Sequence, residues 1–327
     1  MNTITVSRQL PKIWPYIQIA RVDHWFKNVF MVLGVILAYF MQPELLTWSS
    51  IPPLGMALFA TCMVASSNYV LNELLDGLTD RMNPEKRHRA VPSGLIRPWI
   101  GYVEWLALGS LGIWIGMQVN VLFAASAAFL WIMGVLYNVR PIRTKEWPYL
   151  DVLSESINKP IRLMLAWFAL NPSYFPPASL LLAYWMLGAF FMAVKRYAEF
   201  RHIGDPRRAA AYRGSFAFYT EERLLLSVVF YVAACAFFGG IFLVRYHMEL
   251  ILFVPLAAGV ITFYLKLGLR PNSPVQHPEH LYRETAFMAF LAASMVIFVL
   301  LMFTHIPMLH DLFNSEAASL WKIGLIQ

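Results

Sequence analysis

Nine apolar runs, each about as long as a bilayer's hydrocarbon core is thick, leave this chain few ways to fold. They fall at about 26–42, 51–72, 98–118, 120–138, 150–170, 177–197, 222–243, 249–267 and 284–304. Within lipid only helices, or closed barrels, pair every backbone group internally, and runs of this length suit helices. The pattern predicts an all-α polytopic membrane bundle of about nine transmembrane helices. Composition agrees: 59% hydrophobic and 14% charged residues cannot clothe a soluble domain of 327 residues. No Gly/Ser linker, composition break or internal repeat divides the runs, so residues 1–327 read as one membrane domain. Met1 to Arg21 is polar and mixed rather than a short apolar stretch before a cleavage site, so the first run is expected to remain as an anchor. Cys62 and Cys235 both sit inside apolar runs, where packing is expected rather than a disulfide, a metal site or redox chemistry.

Basic residues fix an orientation. Lys and Arg gather before Lys27 and in the segments 81–97, 140–145, 195–223 and 266–283, while Lys159 and Arg162 lie inside the fifth run. Of the 26 Lys and Arg, only Arg245 and Lys322 fall on the opposite side. The positive-inside rule then puts the N-terminus and the loops 81–97 and 195–223 in the cytoplasm, and an odd number of spans puts the C-terminus outside. The tail Asn314–Gln327 reads as a short interfacial helix with no chemistry.

The polar stretch Ser66 to Gly94 follows the second run. Asn72, Glu73, Asp76 and Asp80 recur at helical spacing, so four oxygen-bearing side chains share one face and one end of a helix. Oxygen-only ligands on a short scaffold suit Mg²⁺ that bridges to substrate phosphates. Arg81, Lys86, Arg87, His88 and Arg89 follow at once, a cationic strip suited to the remaining phosphate charge. Acids and bases on a solvated loop would give a similar composition. They would have no reason to keep the i, i+3, i+7 register at the end of a membrane helix.

Asn72-Glu73-x-x-Asp76-x-x-x-Asp80 resembles the NDxxDxxxD motif of the UbiA superfamily of intramembrane prenyltransferases, with Glu73 in place of the usual first Asp. The continuation Asn83 to Gly94 resembles that family's basic, Pro-containing turn. Tyr137-Asn-Val-Arg140-Pro-Ile-Arg143-Thr-Lys145 is similar to another of its turns and departs from it at Asn138 and Arg140. Within the superfamily, Trp25-x-Lys27-Asn28, Lys195-Arg196-Tyr197-x-Glu199, Tyr212-Arg213-x-Ser215 and Pro278 to Arg283 resemble the decaprenyl-phosphate phosphoribosyltransferase branch. Other members carry a second Asp-rich motif where this chain has Lys195-Arg196-Tyr197.

The resemblance implies an all-helical bundle with a cavity open to the cytoplasmic side. It also implies transfer of 5-phosphoribose from phosphoribosyl diphosphate to a polyprenyl phosphate, in the inner (cytoplasmic) membrane and with Mg²⁺. Glu73, Asp76 and Asp80 would hold the metal, and Asp76, Asp80 and Glu199 would be catalytic. Lys27, Asn72, Lys86, Arg87, Arg89, Lys159, Arg162, Lys195, Arg196 and Tyr197 would bind substrate. No nucleic acid is expected among the partners. Asp151, Glu155, Lys159 and Arg162 recur at i, i+4, i+8 and i+11, which predicts one charged stripe along a fifth membrane helix, functional or a plain Glu155–Lys159 pair. Two other readings compete. A UbiA-type prenyltransferase would move an isoprenoid onto an aromatic or lipid acceptor. A secondary transporter would also bury charge, but commonly shows paired broken helices in two related halves.

Overall fold

The computed structural model describes residues 13–45, 47–81, 86–276 and 278–313. The expected tail helix at 314–327 and the start of the basic turn at Asn83 lie outside them. The helices are α1 Trp14–Ile19, α2 Phe30–Met41, α3 Ile51–Arg81, α4 Pro98–Val119, α5 Val121–Asn138, α6 Leu150–Ser156, α7 Asn158–Leu170, α8 Ala178–Ile203, α9 Pro206–Tyr212, α10 Glu221–Tyr246, α11 Val254–Gly268, α12 Thr285–Met302 and α13 Pro307–Phe313. Short 3-10 turns join several of them, and no strand occurs among the described residues. The all-α membrane architecture is as expected, and the chain is an integral membrane protein.

Eight helical stretches among the described residues are long and apolar enough to cross a bilayer. The expected fifth run is instead two short helices, α6 and α7, which meet at Ile157. Pro160 has no N–H for the carbonyl of Ser156, and its ring crowds that carbonyl, so the helix breaks one turn ahead of it. Ile157 keeps helical backbone, φ −60° and ψ −20°, so the break is a kink and the charged residues expected as one stripe over 150–170 are divided between two helices. Asp151 and Glu155 ride on α6, and Lys159 and Arg162 ride on α7.

The described residues form two compact units. The first runs to Pro176 and includes Ala210–Phe218; the second comprises Pro177–Ala209 and the chain from Tyr219 onward. In the first, α3 is central and packs against α4, α5 and α7, while α2 packs on α7. Residues Thr61–Ser67 of α3 are buried without interruption. Glycines of α4 bring the two backbones close: a Cβ on Gly101 would stand 2.7 Å from Leu74, and one on Gly112 2.7 Å from Val64. At 1.5 Å per residue, Ile51–Leu71 rises about 30 Å, the thickness of the hydrocarbon core. Asn72–Arg81 thus extends α3 past the apolar layer, which is how one helix carries both a lipid-depth core and an acidic end.

In the second unit α8 packs along α10, and α11 pairs with α12. Leu226, Val229, Phe230, Phe237, Ile241 and Val244 all lie exposed on α10. Such a stripe is a liability in water and the expected surface in lipid.

Candidate active site

Every acid on the polar end of α3 meets cations supplied by distant segments. Glu73, which is buried, has Oε2 3.7 Å from Nη2 of Arg21, while its Oε1 accepts the backbone N–H of Val91 at 3.3 Å. Asp76 Oδ1 accepts from Arg143 Nη2 at 2.9 Å and from Lys145 Nζ at 2.6 Å. Asp80, also buried, accepts from Arg89 Nη1 at 2.8 Å and has Lys86 Nζ at 3.7 Å. The carboxylates do not point at one spot; each is turned toward its own partners.

Local structure explains how those partners arrive. Gly77 sits between the acids, and a Cβ there would meet Val91 Cγ1 at 2.6 Å, so glycine lets the segment 86–94 lie against α3 without Val91 having to shift. Gly94, at φ +76°, turns the chain away again. The turn after α5 is held by Asn138, whose Oδ1 accepts from Asn72 Nδ2 at 2.6 Å and from Lys145 Nζ at 2.8 Å. Arg21 (φ 48°) and Arg143 (φ 31°) both adopt the left-handed conformation that non-glycine residues avoid. Both are cations of the acid cluster, the sort of place where backbone strain is retained for function.

Charge does not balance. Arg21, Lys86, Arg89, Arg143 and Lys145 meet three carboxylates, and Glu146 is shared by Arg140 and Arg143. The surplus is positive, and Arg87 stands exposed beside it. An anionic ligand fits such a site.

Lys145 carries a pH dependence. Burial, the dominant influence, lowers its ammonium from 10.5 to about 8, against the upward pull of Asp76. The folded value lies below the unfolded one, so folding gains stability as pH rises between them and loses it again as pH falls through about 8. The site, in contrast, loses a cation as pH rises through about 8. We therefore expect kcat/KM, which reports the free enzyme, to fall along an alkaline limb centred near that pH. Lys145→Arg, which stays charged, should move the limb upward; an unmoved limb would assign it to another group.

The remaining expected residues of the first unit lie on neighbouring elements. Lys27 Nζ is 3.2 Å from His24 Nδ1 and lies 5.8 Å from the ring of Tyr69, as does Arg21, so both cations reach the turn of α3 preceding Glu73. Lys159 stands 5.6 Å over the Phe30 ring. Arg162 is buried and donates from Nε to Asn28 Oδ1 at 2.9 Å, while Asn28 Nδ2 contacts Cys62 Sγ at 3.0 Å. That places Arg162 in a buried polar group that ties α7 to the 3-10 turn before α2 and to α3.

In the second unit, Arg196 is buried and donates from Nη1 to Glu199 Oε2 at 2.8 Å, and Lys195 Nζ is 3.9 Å from Glu199 Oε1. Tyr197 is buried, and its hydroxyl donates to Glu221 Oε2 at 3.2 Å. One carboxylate thus sits between two cations at the end of α8.

Sequence reasoning missed Arg21, Asn138, Arg143 and Lys145 as members of the cluster. The signal of the three cations was present as charged residues in turns flanking apolar runs, and it was absorbed by the reading that such charges orient the chain in the membrane.

The chain belongs to the UbiA prenyltransferase family, whose model matches residues 28–291. Among curated relatives, the nodulation protein NoeC of Azorhizobium caulinodans is 33% identical over 126 residues, 37% of this chain and 38% of that protein. The decaprenyl-phosphate phosphoribosyltransferase of Mycolicibacterium smegmatis is 27% identical over 215 residues, 64% of this chain and 63% of that protein. The match therefore spans less than two thirds of either relative. A solved UbiA homolog from Archaeoglobus fulgidus, bound to DMAPP and Mg²⁺, shares the fold with a TM-score of 0.65 at 17% identity, covering 88% of this chain and 98% of that one.

Proposed function

We propose that this enzyme transfers 5-phosphoribose from phosphoribosyl diphosphate to a polyprenyl phosphate and releases pyrophosphate, with residues 1–327 acting as one transferase domain. The observation that carries this reading is the group Lys195, Arg196 and Glu199, two cations on one carboxylate, in the segment where the resemblance gives other members a second acidic motif. The match to the Mycolicibacterium smegmatis phosphoribosyltransferase supports it.

The donor is anionic at both ends, with a pyrophosphate on the anomeric carbon and a phosphate on C5. Glu73, Asp76 and Asp80 offer only oxygen ligands among surplus cations, a donor set that fits Mg²⁺ carrying a polyphosphate. Bound there, Mg²⁺ would supply charge neutralisation at the leaving pyrophosphate. Lys86, Arg89, Arg143 and Lys145, which now neutralise Asp76 and Asp80, would turn to phosphate oxygens of the donor. The anomeric C–O bond to pyrophosphate breaks, and a bond forms to an oxygen of the lipid phosphate. That nucleophile arrives as an anion, so the chain needs no strong general base. Its residues act by positioning and by stabilising the departing charge. Magnesium-dependent pyrophosphate release from phosphoribosyl diphosphate, seen only with a polyprenyl phosphate present, tests the proposal.

A second reading, transfer of an isoprenoid from its diphosphate to an aromatic or lipid acceptor, is favoured by the family match and by the acidic end of α3.

We place the enzyme in the inner (cytoplasmic) membrane with its site facing the cytoplasm, following the basic loops. With Cys62 and Cys235 replaced, a single Cys at the exposed Ser173 is expected to react with a membrane-impermeant thiol reagent in intact cells. One at the exposed Ala211 is expected to stay unlabelled until the membrane is opened. The reverse pattern would invert the orientation.

A further inference from the structure

One cluster of metal-ligating side chains takes no part in the reaction above. The turn between α10 and α11 carries His247 and Glu249, and the segment after α12 brings His305 and His310 to them. Glu249 is 1% exposed, so this is no chance gathering of surface acids. Its Oε1 lies 3.0 Å from each of His305 Nδ1, His310 Nε2 and the backbone N of Ile306. Its Oε2 is 3.3 Å from His247 Nδ1. One ligand atom from each of Glu249, His305 and His310 falls within 4.8 Å of the others. These groups line a cavity of about 360 Å³ together with Arg245 and Met248. Along α10, Tyr246 is on the order of 35–40 Å from Glu221, the partner of Tyr197, so the cluster lies at the far end of that helix.

Hydrogen bonding accounts poorly for the arrangement. A carboxylate oxygen offers two lone pairs, yet three nitrogens, one of them the backbone N–H of Ile306, stand 3.0 Å from Oε1. His247 Nε2 lies 2.6 Å from the carbonyl oxygen of Leu301, which can only accept, so Nε2 carries the proton. A cation among these atoms relieves that crowding, because lone pairs of His305 and His310 and the carboxylate then face charge instead of one another.

We propose that Glu249, His305 and His310 form a binding site for a divalent transition metal of the Zn²⁺ class, with His247 bordering it. Two imidazoles and a carboxylate suit Zn²⁺ and its neighbours, whereas Mg²⁺ prefers oxygen ligands and retained water. The ion fastens the segment 303–310 to the turn between α10 and α11, which makes the site a structural clip.

The full-length chain, purified without a histidine tag and stripped with a chelator, is titrated with Zn²⁺, with Co²⁺ as a spectroscopic probe and with Mg²⁺ as control. One equivalent of Zn²⁺ is expected to bind with micromolar or tighter affinity, and Co²⁺ to give visible ligand-field bands that Zn²⁺ abolishes and Mg²⁺ does not. His305 is largely exposed, so His305→Gln leaves packing intact and should weaken Zn²⁺ binding by at least about tenfold. The pair His305→Gln and His310→Gln should remove the Co²⁺ bands while transferase activity without Zn²⁺ stays at the parent level. Absence of saturable Zn²⁺ binding in the parent chain, or undiminished binding in the double variant, overturns the proposal.

Discussion

Asp76→Asn and Asp80→Asn are each expected to lower turnover by at least about a hundredfold, the scale on which enzymes lose rate when one preorganised electrostatic partner is removed. The substitution keeps shape and removes charge, so the loss should show as a failure of metal-dependent catalysis. Stability separates the two variants. Asp80 faces Lys86 and Arg89, both still 29–30% exposed, so losing its charge should cost no more than about 1 kcal/mol. Asp76 neutralises Lys145, whose side chain is only 9% exposed, so its loss leaves a buried ammonium short of an anion and costs about 1–3 kcal/mol. Pyrophosphate release across a Mg²⁺ titration, run beside thermal unfolding, distinguishes the effects. Near-normal kcat at ordinary Mg²⁺ in either variant would remove that residue from the metal-binding set. Glu73→Asp restores the family's usual residue while shortening the reach to Arg21 and Val91, and should retain activity within about tenfold.

How much of this was legible in the chain depended on sequence distance. The acidic face of α3 could be read because its residues sit three and four apart on one helix, where spacing alone decides which side chains share a face. Of the partners of those acids, Lys86 and Arg89 could be read from the basic strip that follows, and the distant ones could not. Arg143 and Lys145 reach Asp76 across 67 and 69 residues, and although their turn resembles one of the family's, nothing local assigns them to that carboxylate. The left-handed backbone at Arg21 and Arg143 is likewise set by tertiary packing, since neither residue type favours it. Pro160, in contrast, announced a broken helix, but the apolar length of 150–170 outweighed it in a reading based on span lengths. The cluster around Glu249 joins residues 56 and 61 positions apart, so in sequence it shows only as scattered histidines beside apolar runs.

The choice between donors rests on Lys195, Arg196 and Glu199. A prenyl diphosphate has one anionic end, which a metal neutralises almost alone, whereas phosphoribosyl diphosphate has two anionic ends joined by a polar sugar. The second donor needs more fixed cations and an acceptor for a ribose hydroxyl. Lys195 is a quarter exposed and loosely paired with Glu199, so Lys195→Ala should leave the fold intact and raise the donor KM, or lower kcat, by about tenfold to a few hundredfold. That corresponds to roughly 1.5–3 kcal/mol for a charge-assisted hydrogen bond. Arg196 is buried and fixes Glu199, so Arg196→Ala should produce a loss of similar size in rate together with a lowered melting temperature. Glu199→Gln should lower kcat if the carboxylate binds metal and do less if it only accepts a ribose hydroxyl. A merely structural role for Lys195 would leave the donor KM unmoved. Each variant is assayed with phosphoribosyl diphosphate and a polyprenyl phosphate, beside a prenyl diphosphate with 4-hydroxybenzoate. Turnover in the second assay alone would refute the phosphoribosyl assignment and leave the prenyl-transfer reading standing.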